Sequence, residues 1–458
     1  MKTFIETSNP CTDEVLGNYP YHSADEIETK LKLSKTTFEK LRGQSVVLRC
    51  ELLRKLAVVL RKEKEELARL MSDEMGKILS EARAEVEKCA NEADYYAQHG
   101  AEMLADEKAP VNEAEAYVSF LPLGPVLAVM PWNFPYWQVT RFAIPALLAG
   151  NTVLLKHASN VTGCALALES IFKKASFPEG VFQTLVIPSE SVAKIIEDSR
   201  IQAVTLTGSV GSGKSVAQTA GAAIKKSVLE LGGSDAFIVL KDANIELAVK
   251  AAVQARFSNA GQVCIAAKRF FIEEQIADEF QIRFLKAIQS LVVGNPLDSK
   301  TQIGPLAKKE LRDELHAQVQ SSVKEGAQVL CGGRAIPGAG NFYEPTLMIN
   351  VKVSMSVFRE ETFGPVAALM RVKNAEEAIQ LCNQSIYGLS SNLWTQDLSL
   401  AKILARQIEA GSVFINSFSH SDPRVPIGGI KASGYGRELS HFGPKEFMNI
   451  QTVWIGKS

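Results

Sequence analysis

The 458-residue chain has no surplus of charge: 50 Lys and Arg stand against 51 Asp and Glu, a formal net charge of −1. A dedicated nucleic-acid binder carries a basic excess, so that partner class is excluded. No apolar run approaches the roughly eighteen residues of a membrane span. The opening Met1-to-Pro10 stretch turns polar after Ile5 and holds no secretory apolar core. The seven cysteines (Cys11, Cys50, Cys89, Cys164, Cys264, Cys331, Cys382) are odd in number and nowhere spaced C-x-x-C. The six histidines show no ligand spacing either. Neither a disulfide framework nor a metal site is expected. These absences read as a reduced, cytoplasmic protein with no membrane partner. What is present is ordinary for a globular chain, 46% apolar and 22% charged, with length for two or three domains.

The texture changes along the chain. Residues 45–71 place Val47, Leu52, Leu53, Leu56, Val59, Leu60, Leu67 and Leu70 at helical spacing, which predicts one long amphipathic helix. A second helical stretch covers about 73–104. From Tyr117 short Val/Ile/Leu-rich runs alternate with helical segments: 126–130, 152–155, 203–206, 227–231 and 236–240. Runs of this kind, bounded by Gly and Pro, fit strands buried on both faces, and the alternation means βαβ units with a parallel sheet. A second α/β run covers about 265–430. Residues 105–122 and 440–458 read as extended segments suited to joining a neighbouring sheet.

One loop invites two readings. Residues 208–215, Gly-Ser-Val-Gly-Ser-Gly-Lys-Ser, match G-x-x-x-x-G-K-[ST] between a strand and a helix. That is the phosphate loop of a nucleotide triphosphatase. Such an enzyme also needs an aspartate ending an apolar strand to hold magnesium, and the best candidate is Asp242 after Phe237-Ile-Val-Leu-Lys. The dinucleotide fingerprint G-x-G-x-x-G is absent.

Four further stretches decide against the triphosphatase. They are Pro131-Trp-Asn-Phe-Pro135, Leu229-Glu-Leu-Gly-Gly233, Phe257-Ser-Asn-Ala-Gly-Gln-Val-Cys264 and Glu360-Glu-Thr-Phe-Gly-Pro365. With Asn9-Pro10…Gly17 at one end and Gly428-Gly-Ile-Lys-Ala-Ser-Gly-Tyr-Gly-Arg437 at the other, their order and spacing resemble the aldehyde dehydrogenase superfamily over nearly the whole chain. The resemblance implies an α/β fold. Residues 1–104 and 123–230 would form an NAD(P)-binding domain, 231–439 a catalytic domain, and 105–122 with 440–458 a small β oligomerisation element giving a homodimer or homotetramer. The 208–213 loop would then lie by the cofactor pyrophosphate, with Lys214 and Ser215 completing the other motif by coincidence.

The resemblance also assigns roles. Cys264 is the nucleophile, its thiolate attacking an aldehyde carbon to give a thiohemiacetal that can lose hydride. The Asn133 side-chain amide and the Cys264 backbone N–H stabilise the oxyanion. Glu230, flanked by Leu229 and Leu231, is the base for thioester hydrolysis, and such company raises a carboxyl pKa. Trp132, Lys156, Gly208, Ser209, Gly213, Leu231, Glu361 and Phe363 are assigned to the cofactor. Many NAD-preferring relatives read Lys-Pro-x-Glu where this chain reads Lys156-His157-Ala158-Ser159. A glutamate there would repel a 2′-phosphate, whereas Ser159 can donate to one; His157 reads either as a neighbour of that phosphate or, in preference, as a neutral packed ring. NADP is therefore expected to be favoured, with NAD accepted.

Arg141 lies in a strongly apolar stretch, Trp137-Gln-Val-Thr-Arg-Phe-Ala-Ile-Pro145, and such an arginine wants an anion. An internal carboxylate would serve; so would a substrate carboxylate. The Thr140-Arg141 pair and Ser421 resemble succinate-semialdehyde dehydrogenases of a compact bacterial type. The implied substrate is a small aldehyde bearing a carboxylate, with glutarate semialdehyde as the alternative. Two positions depart from that group: Ser258 stands where some members carry a second arginine, and Ala266 where some carry a second cysteine.

Overall fold

A computed structural model describes residues 3–112 and 114–456. Residues 1, 2, 113, 457 and 458, at the margins of the expected cofactor-binding and oligomerisation segments, lie outside the described residues. The fold is α/β, built on two largely parallel sheets and a small antiparallel one.

The first sheet has six strands, in the spatial order Gly434–Tyr435, Lys226–Glu230, Ala203–Thr207, Pro125–Met130, Thr152–His157 and Phe182–Thr184. All pairings are parallel except that of Gly434–Tyr435, which runs antiparallel to Lys226–Glu230. The chain starts at Pro125–Met130, winds outward through Thr152–His157 and Phe182–Thr184, then returns to lay Ala203–Thr207 on the other flank. This reversal opens a crevice at the carboxyl ends of Pro125–Met130 and Ala203–Thr207, where α/β sheets bind ligands. The 131–135 and 208–211 loops both leave from that crevice.

The second sheet runs Gln328–Cys331, Thr346–Ile349, Val366–Val372, Ala267–Glu273, Asp235–Val239, Ser390–Trp394 and Ser412–Ile415. Its core is largely apolar, with Phe237, Ile238, Val239, Phe270, Phe271 and Ile272 excluded from solvent. Burial on both faces explains why these strands read as continuous apolar runs rather than alternating ones. The third sheet joins Met448–Gly456 to Ala114–Pro122 along nine residue pairs, with Glu107–Lys108 at its far edge. The two extended segments therefore pair first with each other.

The helical stretch at 45–71 differs from expectation. It is two helices, Val46–Lys62 and Lys64–Met75, broken at Glu63, whose φ of −92° and ψ of 7° leave the α region. The second helix ends at Gly76, in the left-handed region with φ +79°. A side chain there would also meet Pro305 at 2.7 Å, so the position requires glycine on two counts. The following helix therefore starts at Leu79, not 73, and runs to Met103.

Candidate active site

A cleft of about 480 Å³ opens between the two large sheets. Pro131, Trp132, Asn133, Thr207, Gly208, Ser209 and Leu231 follow strands of the first sheet or end them; Gly232, Cys264 and Phe363 precede strands of the second. The carboxyl edge of one sheet thus faces the amino edge of the other. Segments far apart in sequence converge because each sits at the end of a rigid strand.

Cys264 lies in a turn, half-buried, just before Ala267–Glu273. Its backbone N–H finds no acceptor among the described residues. Asn133 is buried, and its side-chain amide donates to the Gln262 carbonyl at 3.0 Å. That leaves the second Nδ2 hydrogen for a group in the cleft. Two donors without full partners beside a thiol are what a developing oxyanion requires. Burial pushes the Cys264 thiol up to about 11, against the field of Arg141 and Lys268, which favours the thiolate. The resting group is a protonated thiol, so nucleophilic attack must deliver a proton to a base.

The turn carrying the thiol is held by groups that the sequence reading passed over. Asn259 and Ala260 adopt left-handed conformations, each with φ 53°. The Asn259 amide donates to the carbonyls of Asn133 and Gln262, and its backbone N–H to Glu81. Arg256, completely buried, donates to the carbonyls of Gly261, Ala267, Thr362 and Gly364. It ties the cysteine turn to the Glu360–Pro365 stretch. Lys268 donates to the Val263 and Cys264 carbonyls, with Glu361 at 3.4 Å. Both are charges inside apolar runs, the same signal that singled out Arg141.

Glu230 ends its strand with 2% of its surface exposed. Burial raises its carboxyl to about 8; Arg141 opposes the shift and Glu438 adds to it. Arg141 is equally buried. It pairs with Glu438, and its Nη2 stands 3.8 Å from Glu230. Despite desolvation, the two carboxylates hold the guanidinium above its ordinary value. Arg141 therefore has an internal carboxylate partner. Ser421 does not touch it in the hydrogen-bond network; its Oγ accepts from Lys88 and from the Trp137 indole.

The expected cofactor residues separate into two sets. Trp132, Gly208, Ser209, Leu231, Glu361 and Phe363 line the cleft, with the Trp132 and Phe363 rings edge to face at 5.7 Å. Glu361 accepts from the Gly233 N–H at 3.0 Å. Ser159 is exposed, just beyond the strand that ends at His157. Lys156 is buried, its Nζ donating to Ser189 at 3.3 Å, and burial together with Lys308 lowers its pKa.

One expectation is corrected, and one pair of alternatives is decided. Gly213 is buried behind its helix, not on the cleft; a Cβ there would meet Leu231 at 2.6 Å. Gly211, which the sequence reading passed over, lines the cleft in its place. His157 is sealed in: Nδ1 accepts from the Ala158 N–H and Nε2 donates to the Pro135 carbonyl, each at 2.9 Å. Desolvation drops its pKa to about 4, so the ring is neutral and fastens the 131–135 loop to its neighbouring strand.

The triphosphatase reading of the 208–215 loop meets a topological obstacle. Asp242 follows a strand of the second sheet and accepts from Thr395 and the backbone of Gln396 and Asp397. It is not on a strand beside the loop. Among the described residues no triphosphatase metal site is assembled.

The residues do suit a dinucleotide. Gly208 and Gly211 leave room beside the first turn of the Val210–Ala222 helix, where backbone N–H groups lack helical partners. Lys156 and Lys308 repel one another, and neither makes an ion pair among the described residues. An anionic group would relieve both.

The aldehyde dehydrogenase family model matches residues 1–453. The succinate semialdehyde dehydrogenase [NAD(P)+] Sad of Escherichia coli strain K12 is 52% identical over 446 residues, covering 97% of this chain and 96% of that one. A probable succinate-semialdehyde dehydrogenase [NADP(+)] of Synechocystis is 49% identical, covering 98% and 99%. Among solved structures, a succinic semialdehyde dehydrogenase from Streptococcus pyogenes in complex with NADP+ superposes with a TM-score of 0.97 at 36% identity, covering 99% of this chain and 100% of that one. The chain belongs to the aldehyde dehydrogenase family.

Proposed function

We propose that the protein oxidises succinate semialdehyde to succinate, with NADP favoured and NAD accepted. The observation that carries the chemistry is that Cys264 and Asn133 line one cleft between two sheet edges, with free N–H donors beside the thiol, while the buried Glu230 carboxyl, raised to about 8, lies close enough for its charge to act on Cys264. The named activities of the close relatives support the substrate. NADP or NAD, when bound, supplies the hydride acceptor.

This chain's residues do the rest. The Cys264 sulfur bonds the aldehyde carbon as its proton leaves to a base. The carbonyl oxygen becomes an oxyanion facing the Asn133 amide and the Cys264 N–H. Departure of hydride leaves a thioester on Cys264. Glu230 then takes a proton from water, whose oxygen bonds the acyl carbon; the carbon–sulfur bond breaks, and the carboxylate product leaves. Lys268 and Arg256 keep the cysteine turn in place through these steps.

Lys156 and Ser159 would meet the adenosine end of the cofactor, and Gly208, Ser209 and Gly211 its phosphates. Arg141 contributes positive field to the substrate end. The segments 1–104 with 123–230, 231–439, and 105–122 with 440–458 are proposed as the cofactor, catalytic and oligomerisation units. Leu121, Ile450 and Trp454, exposed on the small sheet, would pack in a dimer or tetramer. The deciding test compares kcat/KM for succinate semialdehyde with that for butanal, each with NADP and NAD. A ten-fold preference for the carboxylated aldehyde supports the reading, and equal values overturn the substrate.

A further inference from the structure

The two donors assigned to the oxyanion come from opposite sides of the cleft. Asn133 follows a strand of the first sheet, and Cys264 precedes a strand of the second. Both must reach one oxygen, which demands placement within about 0.5 Å. No strand pairing joins the two sheets, so hydrogen bonds between loops set this register.

Asn259 is where those bonds cross. Its side-chain amide donates to the Asn133 carbonyl at 2.9 Å and to the Gln262 carbonyl at 3.2 Å. The Asn133 amide donates to the same Gln262 carbonyl, and the Gln262 amide donates back to the Asn259 carbonyl. The turn that carries the thiol thus grips Asn133 by its backbone and by its side chain. That turn is itself strained: Asn259 and Ala260 stand in succession at φ 53°, a conformation that costs free energy in residues other than glycine. It persists only if a group outside the turn holds it.

Glu81 is that group. It sits in the first turn of the Leu79–Met103 helix, whose Ala82 and Val86 pack with Val126 and Ala128 in the core of the first sheet. Its two carboxylate oxygens stand 3.0 and 3.1 Å from the Asn259 backbone nitrogen and accept its N–H. The charged groups that face it are Lys77 and Glu85, and these pair with each other. Burial raises the Glu81 carboxyl to about 7; the Asn259 N–H and Lys77 oppose the shift, and Glu85 adds to it. An ionised carboxylate accepts such a bond more strongly than a neutral acid does.

We propose that Glu81 is a positioning residue: as a carboxylate it holds Asn259, and through Asn259 it registers the Asn133 amide against the Cys264 N–H. This rests on the oxyanion reading above and deepens it. Protonation of Glu81 loosens the register, so acylation carries a titration separate from that of the deacylating base.

The test uses Glu81→Gln, which keeps the shape of the side chain and stands for the protonated acid. The rate of the first burst of reduced nicotinamide is measured for wild type and variant from pH 6 to 8, with succinate semialdehyde and with butanal. Both proteins share Cys264 and Glu230, so the titration of those groups cancels in the ratio of the two burst rates. If the carboxylate serves ten-fold better than the amide, the ratio is about nine at pH 8 and about two at pH 6. The fall should be the same for both aldehydes, with KM little changed. A ratio that does not vary with pH, or that equals one throughout, overturns the inference. If Glu81→Gln does not fold, Glu81→Asp decides it: a carboxyl drawn back by one methylene should slow the burst on both aldehydes alike, and an unchanged burst overturns the inference. Asn133→Ala in the same assay separates the two readings. A wild-type burst in Asn133→Ala overturns the oxyanion reading; a slowed burst there with a wild-type burst in Glu81→Gln overturns this inference alone.

Discussion

If Glu230 is the base that hydrolyses the acyl-enzyme, its unusual pKa dictates the pH dependence of turnover. With the carboxyl at about 8, only the ionised fraction is competent. That fraction is about 1% at pH 6 and about half at pH 8, so deacylation should accelerate roughly fifty-fold across this interval. A carboxyl at its ordinary value near 4.5 would leave the rate almost flat. The assay is stopped-flow formation of reduced nicotinamide at a series of pH values. It should show a burst of one equivalent per active site, followed by a steady rate that rises with pH and levels above about 9. Glu230→Gln should keep the burst and lose the steady rate by two orders of magnitude or more. The linked stability effect runs the opposite way. A carboxyl raised by folding contributes stability that is complete below its unfolded pKa and is lost as pH rises through about 8. The enzyme should therefore gain activity and lose thermal stability over the same window, and Glu230→Gln should flatten the second trend. A flat rate between pH 6 and 8, or normal turnover of Glu230→Gln, would refute the assignment.

Three shorter predictions follow from the same geometry. Ser159→Glu should shift the NADP/NAD ratio of kcat/KM at least ten-fold toward NAD, because a carboxylate near Lys156 repels a 2′-phosphate; an unchanged ratio counts against the charge argument. Arg256→Met removes the donor to four buried carbonyls and should cost about 3 kcal/mol or more in chemical denaturation. Gly261→Ala forces a side chain onto a residue at φ +75° and against the Gly364 carbonyl, so activity should fall at least a hundred-fold even where circular dichroism shows a folded chain.

Five of the parallel strands were legible because burial on both faces leaves uninterrupted Val/Ile/Leu runs, and these five lie within a residue or two of their expected places; Phe182–Thr184 and most strands of the second sheet were not placed individually. The break at Glu63 was not, because the apolar spacing continues through it; a change in helix direction leaves no gap in such a pattern. Cys264, Asn133 and Glu230 could be named from short motifs because their local sequences constrain the backbone. Gly213 was assigned to the cleft because a glycine reads alike whether it clears space for a ligand or for a neighbouring leucine. His157 had two readings, one beside the phosphate and one as a packed neutral ring, and only the tertiary contacts to Pro135 and Ala158 decide for the second. Glu81 left no motif. A glutamate between Ser80 and Ala82 in the first turn of a helix reads as a solvated partner of the helix dipole, and only the tertiary contact with Asn259 distinguishes it.

The spacing around Arg141 explains how one site can hold a reactive base beside a permanent cation. A full charge at about 4 Å is worth some 4 kcal/mol at an effective dielectric near 20, roughly three pKa units. An Arg141 charge unshared with any other carboxylate would, at the 3.8 Å that separates it from Glu230, hold that carboxyl ionised at all working pH values and take away its basicity. The guanidinium instead pairs with Glu438, which offsets much of the field that reaches Glu230. Burial then dominates for Glu230, and the carboxyl settles near the pH at which it can both accept a proton and release it. Glu438 thus acts at a distance: by occupying Arg141 it keeps the base basic.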